Sequence, residues 1–292
     1  MAQAIEARAR LCAAHGWAEE AVELVPVIAS GDRIQDRPLA EIGGKALWTK
    51  ELDAWLAEGR IDAAVHSMKD VETIRPASLT IAAILPRADV RDVLVGASAI
   101  AHLPQGARVG TSAPRRAAQV LHARPDCVIV PFRGNVATRL ARLAAGEAEA
   151  TLLAAAGLER LGETGTGTPL DEHEWLPAPA QGAIGIECNA ADERTRQLLA
   201  PLDHAESRAR VMTERALLVA LGGNCHSPVA MLSAVAADKL TLRVALYSPD
   251  GAEKVAGEGA FALADADGPA RLAADLLDRA SPSIAVHFTG AA

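Results

Sequence analysis

Residues 107–124, ARVGTSAPRRAAQVLHAR, join a short apolar strand to a helix through a polar turn. Pro114 suits the first turn of a helix, so the pattern predicts a strand at 107–111 and a helix at 114–124. The same alternation recurs, with strands predicted at 61–65, 79–85, 92–96, 127–132 and 150–155 and a helix at 135–145. Regular alternation of strands and helices indicates an α/β fold with parallel-type sheets and helices on both faces.

The two ends of the chain differ from this middle part. Residues 1–15 have helical periodicity, VELVPVIAS (22–30) predicts a buried strand, and residues 45–59 predict an amphipathic helix. A helix is predicted at 204–221, followed by strands at 229–237, 240–248 and 254–263 and a closing helix at 265–280. Strands joined by short turns and closed by a helix indicate a small antiparallel α+β domain.

Composition limits the class of protein. The 292 residues exceed the usual size of a single core, so we expect two or three domains. The net charge of −8 argues against general binding to nucleic acid or to anionic membranes. No apolar run approaches the ~20 residues of a spanning helix, and the four cysteines lack metal-ligand spacing. We therefore expect a soluble, cytoplasmic protein without a metal site, and nothing requires more than a monomer.

The segment 101–160 is basic within this acidic chain. It holds eight arginines and no lysine, against four acidic residues. Two polar turns after predicted strands supply candidate anion ligands, which are Thr111, Ser112, Arg115, Arg116, Arg133 and Arg139. Because guanidinium groups and helix N-termini favour anions, these turns predict a ligand with several carboxylates or phosphates. The alternative is a solvated basic face.

Two further motifs contain residue types suited to catalysis. In HSMKDV (66–71), Lys69 and Asp70 follow a buried strand, which is the usual position of an α/β site. Asp70 could stabilise a cationic intermediate or form only a surface ion pair with Lys69. In GGNCHSP (222–228), Cys225 follows two glycines, and an exposed thiol there could be a nucleophile or an attachment point. Buried, inert thiols are the expectation for the other three cysteines, which are Cys12, Cys127 and Cys188.

Six segments occur together in a family order: HSMKDV, GTSAPRR, FRGNVATR, AAAGLERLG, PAPAQGAIGIE and GGNCHSPVA. In these segments, and in the lead-in GDRIQDRPLAEIGGKALWTKELD, the chain resembles the porphobilinogen deaminase (hydroxymethylbilane synthase) family. The resemblance covers nearly the whole chain. It implies two α/β domains resembling type II periplasmic binding proteins, plus the small α+β domain. The implied bounds are 1–87 with 180–202, 88–179, and 203–292.

The resemblance also implies chemistry. The family joins four porphobilinogen molecules head to tail into hydroxymethylbilane, with release of ammonia, in tetrapyrrole biosynthesis. It uses a dipyrromethane cofactor linked by a thioether to a loop cysteine that matches Cys225, and a catalytic aspartate that matches Asp70. Family positions that bind the acetate and propionate side chains match Lys69, Arg115, Arg116, Arg133, Arg139 and Arg160. Lys45 lies in a family loop near the site. These residues suit the chemistry, because each pyrrole carries two carboxylates.

The chain departs from the family in three places. It opens inside the first helix, so the family's leading strand and T-R-x-S-P-L-A turn are absent, and we expect a truncated or wrongly started chain. Glu72 stands where the family usually has proline, and Ala113 stands where a serine is common. Two alternatives to the active enzyme therefore stay open: an inactive truncated form and a non-catalytic binding protein of the same fold. A binding protein would need neither Asp70 nor Cys225.

Overall fold

The computed structural model describes residues 1–27, 49–163, 165–224 and 226–288. Its helices are α1 (Ala2–His15), α2 (Lys50–Ala57), α3 (Pro114–Ala123), α4 (Val136–Ala144), α5 (Ala155–Arg160), α6 (Glu193–Leu199), α7 (Ala205–Ala220), α8 (Gly268–Arg279) and α9 (Pro282–Ala285). Its strands are β1 (Ala63–Ser67), β2 (Leu79–Ile84), β3 (Asp92–Val95), β4 (Arg108–Gly110), β5 (Val128–Val130), β6 (Ala150–Ala154), β7 (Thr168–Pro169), β8 (Ile184–Asn189), β9 (Val229–Ala236), β10 (Lys239–Tyr247) and β11 (Lys254–Ala262). Short 3₁₀ turns lie at Glu19–Ala21, Met68–Asp70, Ile100–His102 and Ala200–Leu202.

The first sheet has the order β1-β8-β2, and both of its described strand pairs are antiparallel. The prediction of a parallel-type sheet is therefore wrong for these pairs. The physical reason is that the chain returns from the second sheet and inserts β8 between β1 and β2. Strands β1 and β2 run parallel to each other, but β8 lies between them, so they are not hydrogen-bonded to each other.

The second sheet has the order β5-β4-β6-β3-β7. Strand β4 pairs in parallel with β5 and β6, whereas β3 is antiparallel to β6 and β7. The helix α3 begins with Pro114 directly after the turn that follows β4. The N-terminus of α4 is capped by Asn135, whose side chain accepts a hydrogen bond from the Thr138 N–H at 2.9 Å. Both turns thus form where the sequence predicts them.

The third sheet has the antiparallel order β11-β10-β9 and packs against α7 and α8. Leu217, Leu242 and Leu276 are fully buried in this core. The predicted α/β class and the small C-terminal antiparallel sheet with its helix are therefore confirmed. The domain boundaries stay a prediction.

The predicted strand at 22–30 is wrong over 22–27, and residues 28–30 lie outside the described part. Residues 22–27 pair with no described strand, and Val25 is exposed. An apolar run becomes a strand only where a neighbour accepts and donates its backbone hydrogen bonds. No described helix is both long and apolar enough to cross a bilayer.

Candidate functional site

A cavity of about 310 Å³ lies where the turn after β1, α3, α4 and α7 converge. Its walls come from the turn after β1, the turn before α3, the N-terminal part of α4 and the end of α7. The charged and titratable residues that line it are Lys69, Asp70, Arg115, Arg116, Arg133, Arg139, Arg215 and His226. Asp70 is the single acidic residue among the described lining residues, so the cavity is strongly cationic.

Asp70 ends the 3₁₀ turn that directly follows β1. The turn is held against β8, because the Met68 N–H donates to the Ala183 carbonyl at 3.0 Å. Gly185 allows this approach, since a Cβ atom at that position would lie 2.1 Å from the Met68 sulfur. Asp70 is exposed and makes no hydrogen bond to a described residue. Its carboxylate can therefore meet a ligand in the cavity.

Lys69 and Arg139 are two lining cations on which the Asp70 charge acts. Burial lowers the pKa of Lys69; Arg116 and Arg139 lower it further, and the Asp70 charge opposes them. Burial and the Arg116 charge lower the pKa of Arg139 to about 10, again opposed by Asp70. The Arg139 Nε–H donates to the Gly134 carbonyl at 2.9 Å. Mutual repulsion among these cations favours binding of an anionic ligand, which would relieve it.

Asp92, at the start of β3, organises the two arginines of α3. Its carboxylate accepts from Arg115 Nη1 at 2.6 Å and from Arg116 Nη2 at 2.7 Å. It also accepts from Trp175 Nε1 at 2.9 Å and from Gln181 Nε2 at 3.0 Å. Burial raises the pKa of Asp92, but the two guanidinium groups outweigh it and hold that pKa well below its usual range.

Comparison with known proteins decides the family. Residues 1–197 match the family described as porphobilinogen deaminase, dipyromethane cofactor binding domain, and residues 208–278 match the porphobilinogen deaminase C-terminal domain. A porphobilinogen deaminase of Sphingopyxis alaskensis is 58% identical over 290 residues, covering 97% of this chain and 91% of the relative. The chain belongs to the porphobilinogen deaminase family. A second porphobilinogen deaminase, from Paracoccus denitrificans, is 50% identical over 268 residues, covering 91% and 86% of the two chains.

Solved structures similar to the chain include periplasmic proteins. The periplasmic VFT2 domain of Bordetella pertussis BvgS matches with a TM-score of 0.40 and 15% identity, covering 72% of this chain and 82% of that chain. The periplasmic sulfonate-binding protein SsuA from Methylobacillus flagellatus matches with a TM-score of 0.36 and 15% identity, covering 72% and 60%. The family assignment follows from the sequence relatives alone.

The cavity residues fit dipyrromethane, the cofactor named in the description of the family that residues 1–197 match. Within the described part of the chain, Ser112 Oγ and Arg115 Nε are buried and have no hydrogen-bond partner. Both residues line the cavity. A buried donor without a partner is costly unless a ligand satisfies it, and carboxylates of a bound pyrrole would accept from both.

The cavity brings together seven of the predicted site residues, which are Lys69, Asp70, Ser112, Arg115, Arg116, Arg133 and Arg139. Thr111 is buried behind it, and its hydroxyl accepts from the Ala113 N–H at 3.2 Å. Arg160 lines a different cavity, where its Nε lies 3.3 Å from Glu6. Lys45 and Cys225 lie outside the described residues. The residues on either side of the cysteine, Asn224 and His226, line the cavity.

Sequence reasoning missed Asp92 and Arg215. Asp92 is the first residue of an otherwise apolar strand, and it is fully buried. A carboxyl in such a strand is the signal that could have identified it, because a buried charge needs partners. Arg215, on α7, donates to the carbonyls of Val71, Glu72 and Thr73 and so holds the chain just after Asp70. Nothing local in the α7 sequence indicates that contact. Among the described residues, no group of three or more His, Cys, Asp and Glu side chains could hold a metal ion.

Proposed function

We propose that this chain joins four porphobilinogen molecules head to tail into hydroxymethylbilane for tetrapyrrole biosynthesis. Four ammonia molecules leave, and one water supplies the hydroxyl of the product. The observation that carries the proposal is the exposed carboxylate of Asp70 within a cavity whose other charged lining residues, in the described part, are cations. A substrate that is acidic at its edges and becomes cationic at its reacting carbon suits this arrangement.

Asp70 is the proposed catalytic residue. When the aminomethyl group of the substrate loses ammonia, a positive charge spreads over the pyrrole ring. A fixed carboxylate in a site partly closed to water stabilises that charge more strongly than water does. The turn after β1 holds Asp70 in place before the charge develops, so the residue reorganises little during the step.

Lys69, Arg133 and Arg139 are the proposed ligands of substrate carboxylates. Each porphobilinogen brings two carboxylates, and guanidinium groups bind them with two parallel hydrogen bonds. We propose Ser112 and the Nε of Arg115 as ligands of the dipyrromethane carboxylates. Arg116 donates from all three nitrogens to Asp92 and to the Leu152 carbonyl, which supports a role in fixing Asp92, the carboxylate that it shares with Arg115.

Cys225 is the proposed attachment point of dipyrromethane through a thioether. Asn224 and His226, its chain neighbours, line the cavity, and this supports the assignment. The bound group supplies a tethered primer for chain growth. Lys45 and Arg160 stay substrate-binding proposals on the family resemblance alone, and Arg160 would have to release Glu6 to reach this cavity.

We also propose a monomeric, cytoplasmic enzyme that needs no metal, membrane or nucleic acid. The net charge of −8 supports the last point, because nucleic acid would be repelled. Light scattering on the protein as it elutes from a size-exclusion column should give the mass of one chain. The mass of a dimer would refute the proposed monomer.

The test of the function is turnover of porphobilinogen by the purified chain, with Asp70→Asn and a matched control, Asp62→Asn. Asp62 is exposed just before β1, whereas Asp70 follows it, so both variants lose one charge beside the same strand. We expect kcat of Asp70→Asn to fall by about 10²–10³-fold and Asp62→Asn to stay at the wild-type rate. Binding of porphobilinogen without hydroxymethylbilane would instead indicate a binding protein.

Intact mass tests the attachment site. The wild-type chain should be heavier than its sequence by two pyrrole units, and Cys225→Ser should have the mass of its sequence. Cys127→Ser, which removes a buried thiol elsewhere, should keep the added mass. An added mass on Cys225→Ser would contradict the assignment.

A further inference from the structure

Glu72 follows Asp70 by two positions but faces away from the cavity. Of the stretch 68–73, Glu72 is the one residue that does not line the cavity. Its carboxylate oxygen Oε2 accepts from Thr49 Oγ1 at 2.7 Å and from Arg75 Nη1 at 2.6 Å. Glu72 therefore connects the Asp70 turn to groups behind the site rather than to a ligand.

Thr49 is the residue that caps the N-terminus of α2. A threonine at this position normally accepts a hydrogen bond from a free N–H of its own helix. Here the hydroxyl makes no such cap bond, although the side chain is 1% exposed. It donates instead to Glu72, so the link to the Asp70 turn replaces a local stabilisation of α2.

Arg75 completes the link and joins three elements. Its Nε and Nη2 donate to the Glu187 carboxylate of β8 at 2.9 and 2.7 Å, and Nη2 also contacts Asp53 of α2. One guanidinium thus serves three carboxylates. Loss of Glu72 would leave Arg75 paired with Glu187 and Asp53, so the core of this cluster does not depend on Glu72.

The backbone of the same turn is held from the opposite side. Arg215 of α7 donates to the Glu72 carbonyl at 2.7 Å and to the Thr73 carbonyl at 3.1 Å. Besides the Met68 contact with Ala183, the turn is therefore attached through backbone carbonyls to α7 and through the Glu72 side chain to α2.

We propose that Glu72 is a positioning residue for Asp70. Through Thr49 and Arg75 its carboxylate fixes the turn 68–73 to the start of α2 and so sets the place of Asp70 in the cavity. This inference rests on the proposed role of Asp70. It concerns a residue at which this chain differs from the proline that the family usually has.

The first test is Glu72→Gln, with Glu58→Gln as a matched control. Glu58 is an exposed glutamate at the C-terminus of α2, so its substitution removes the same charge at the opposite end of that helix. A displaced Asp70 stabilises the transition state less but leaves the carboxylate-binding cations in place. We expect kcat of Glu72→Gln to fall about tenfold with KM within about twofold of wild type. The melting temperature should barely change, because Arg75 keeps two partners, and Glu58→Gln should behave as wild type.

Thr49→Val tests the path of the link. It removes the hydroxyl that reaches Glu72 but leaves the Arg75–Glu72 contact, so we expect kcat to fall less than in Glu72→Gln. The double variant should be no slower than Glu72→Gln alone, because in this proposal the Thr49 hydroxyl acts on the turn only through Glu72. Multiplied effects in the double variant would overturn the proposal.

Glu72→Pro separates positioning from a direct effect of the charge. Val71 has ψ 130°, which a following proline accepts, and Glu72 N–H donates to no described backbone group. Proline would restrain the turn by fixing its own φ, so we expect kcat to recover to within about threefold of wild type. Equal losses in Glu72→Pro and Glu72→Gln would overturn the proposal, as would a normal kcat in Glu72→Gln.

Asp70→Asn in the same series distinguishes the two failures. If Asp70→Asn is slow and Glu72→Gln is normal, only the inference about Glu72 fails. If Asp70→Asn turns over at the wild-type rate, the proposed role of Asp70 fails, and the role of Glu72 fails with it.

Discussion

Arg116 and Arg139 face the same cavity but differ in how their charges are satisfied. Arg116 is buried and donates from all three nitrogens, to Asp92 and to the Leu152 carbonyl. The guanidinium group of Arg139 makes one hydrogen bond within the described part of the chain, from Nε to the Gly134 carbonyl, and its pKa is lowered to about 10 by burial and by Arg116. The first arginine maintains the fold of the site, and the second is available to an anion. Residue type alone therefore does not separate structural from ligand-binding arginines.

The sharpest test of this contrast is Asp92→Asn, for which we expect the largest loss of stability. Asp92 is fully buried and accepts from four side chains, and its loss would leave Arg115 and Arg116 buried without a counter-charge. Breaking such a buried pair costs about 3–5 kcal/mol of unfolding free energy. Urea denaturation would measure it.

The control for that experiment is Asp89→Asn. Asp89 pairs with Arg91 at 2.6 Å, but both side chains are partly exposed. Solvent screening should keep its cost below about 1 kcal/mol. Equal losses in the two variants would show that burial does not distinguish the two pairs.

The next largest effect concerns the pH dependence of stability at Glu187. Burial raises its pKa, but His66 and Arg75 outweigh burial and lower it from 4.5 to about 2. A carboxyl with a depressed folded-state pKa stabilises the fold above its unfolded pKa, and this stabilisation is lost as pH falls from about 4.5 towards 2. The lost contribution is on the order of 3 kcal/mol.

Urea denaturation at pH 5, 4 and 3 would measure this contribution. Glu187→Gln should lose less stability than wild type across the range, because it has no carboxyl to protonate there. Glu258→Gln, at an exposed position on β11, should follow the wild-type curve. Parallel curves for wild type and Glu187→Gln would rule out this titration.

Much of the fold follows from local sequence, because helix starts and strand ends depend on neighbouring residues. The helix predicted at 114–124 forms as Pro114–Ala123, and the helix predicted at 135–145 forms as Val136–Ala144 with Asn135 as its cap. The strand predicted at 22–30 fails over 22–27 because pairing needs a distant partner. The order of the first sheet is equally non-local, since β8 begins 100 residues after β2 ends.

For the candidate site too, local sequence indicates individual residues but not their distant partners. Asp70 and the two arginine-bearing turns could be found from sequence, because each follows a strand. The partners of the arginines could not, because Asp92 lies 23 residues from Arg115 in sequence. Glu6 lies 154 residues from Arg160, and that pairing places Arg160 at a different cavity.

A smaller effect should separate two arginines on one helix. Arg139→Gln removes a cation that lines the cavity, and we expect KM for porphobilinogen to rise about tenfold, the value of one lost charged hydrogen bond. Arg142→Gln removes an arginine one turn later, which pairs with Glu147 at 2.6 Å outside the cavity. Steady-state kinetics should show no change for Arg142→Gln. A similar rise in KM for both would indicate a general loss of positive charge rather than a specific ligand.

The smallest effect should come from an exposed pair whose contact distance resembles that in the Asp92 cluster. Arg196 and Glu193 lie 2.8 Å apart on α6, with side chains 48% and 63% exposed, whereas Arg116 and Asp92 lie 2.7 Å apart and are buried. Water and salt screen the exposed pair, so a double-mutant cycle with Arg196→Ala and Glu193→Ala should give a coupling of about 0.5 kcal/mol or less. A coupling above about 1 kcal/mol would mean that distance, rather than burial, sets the strength of these pairs. The distinction between structural and ligand-binding arginines would then need a different physical basis.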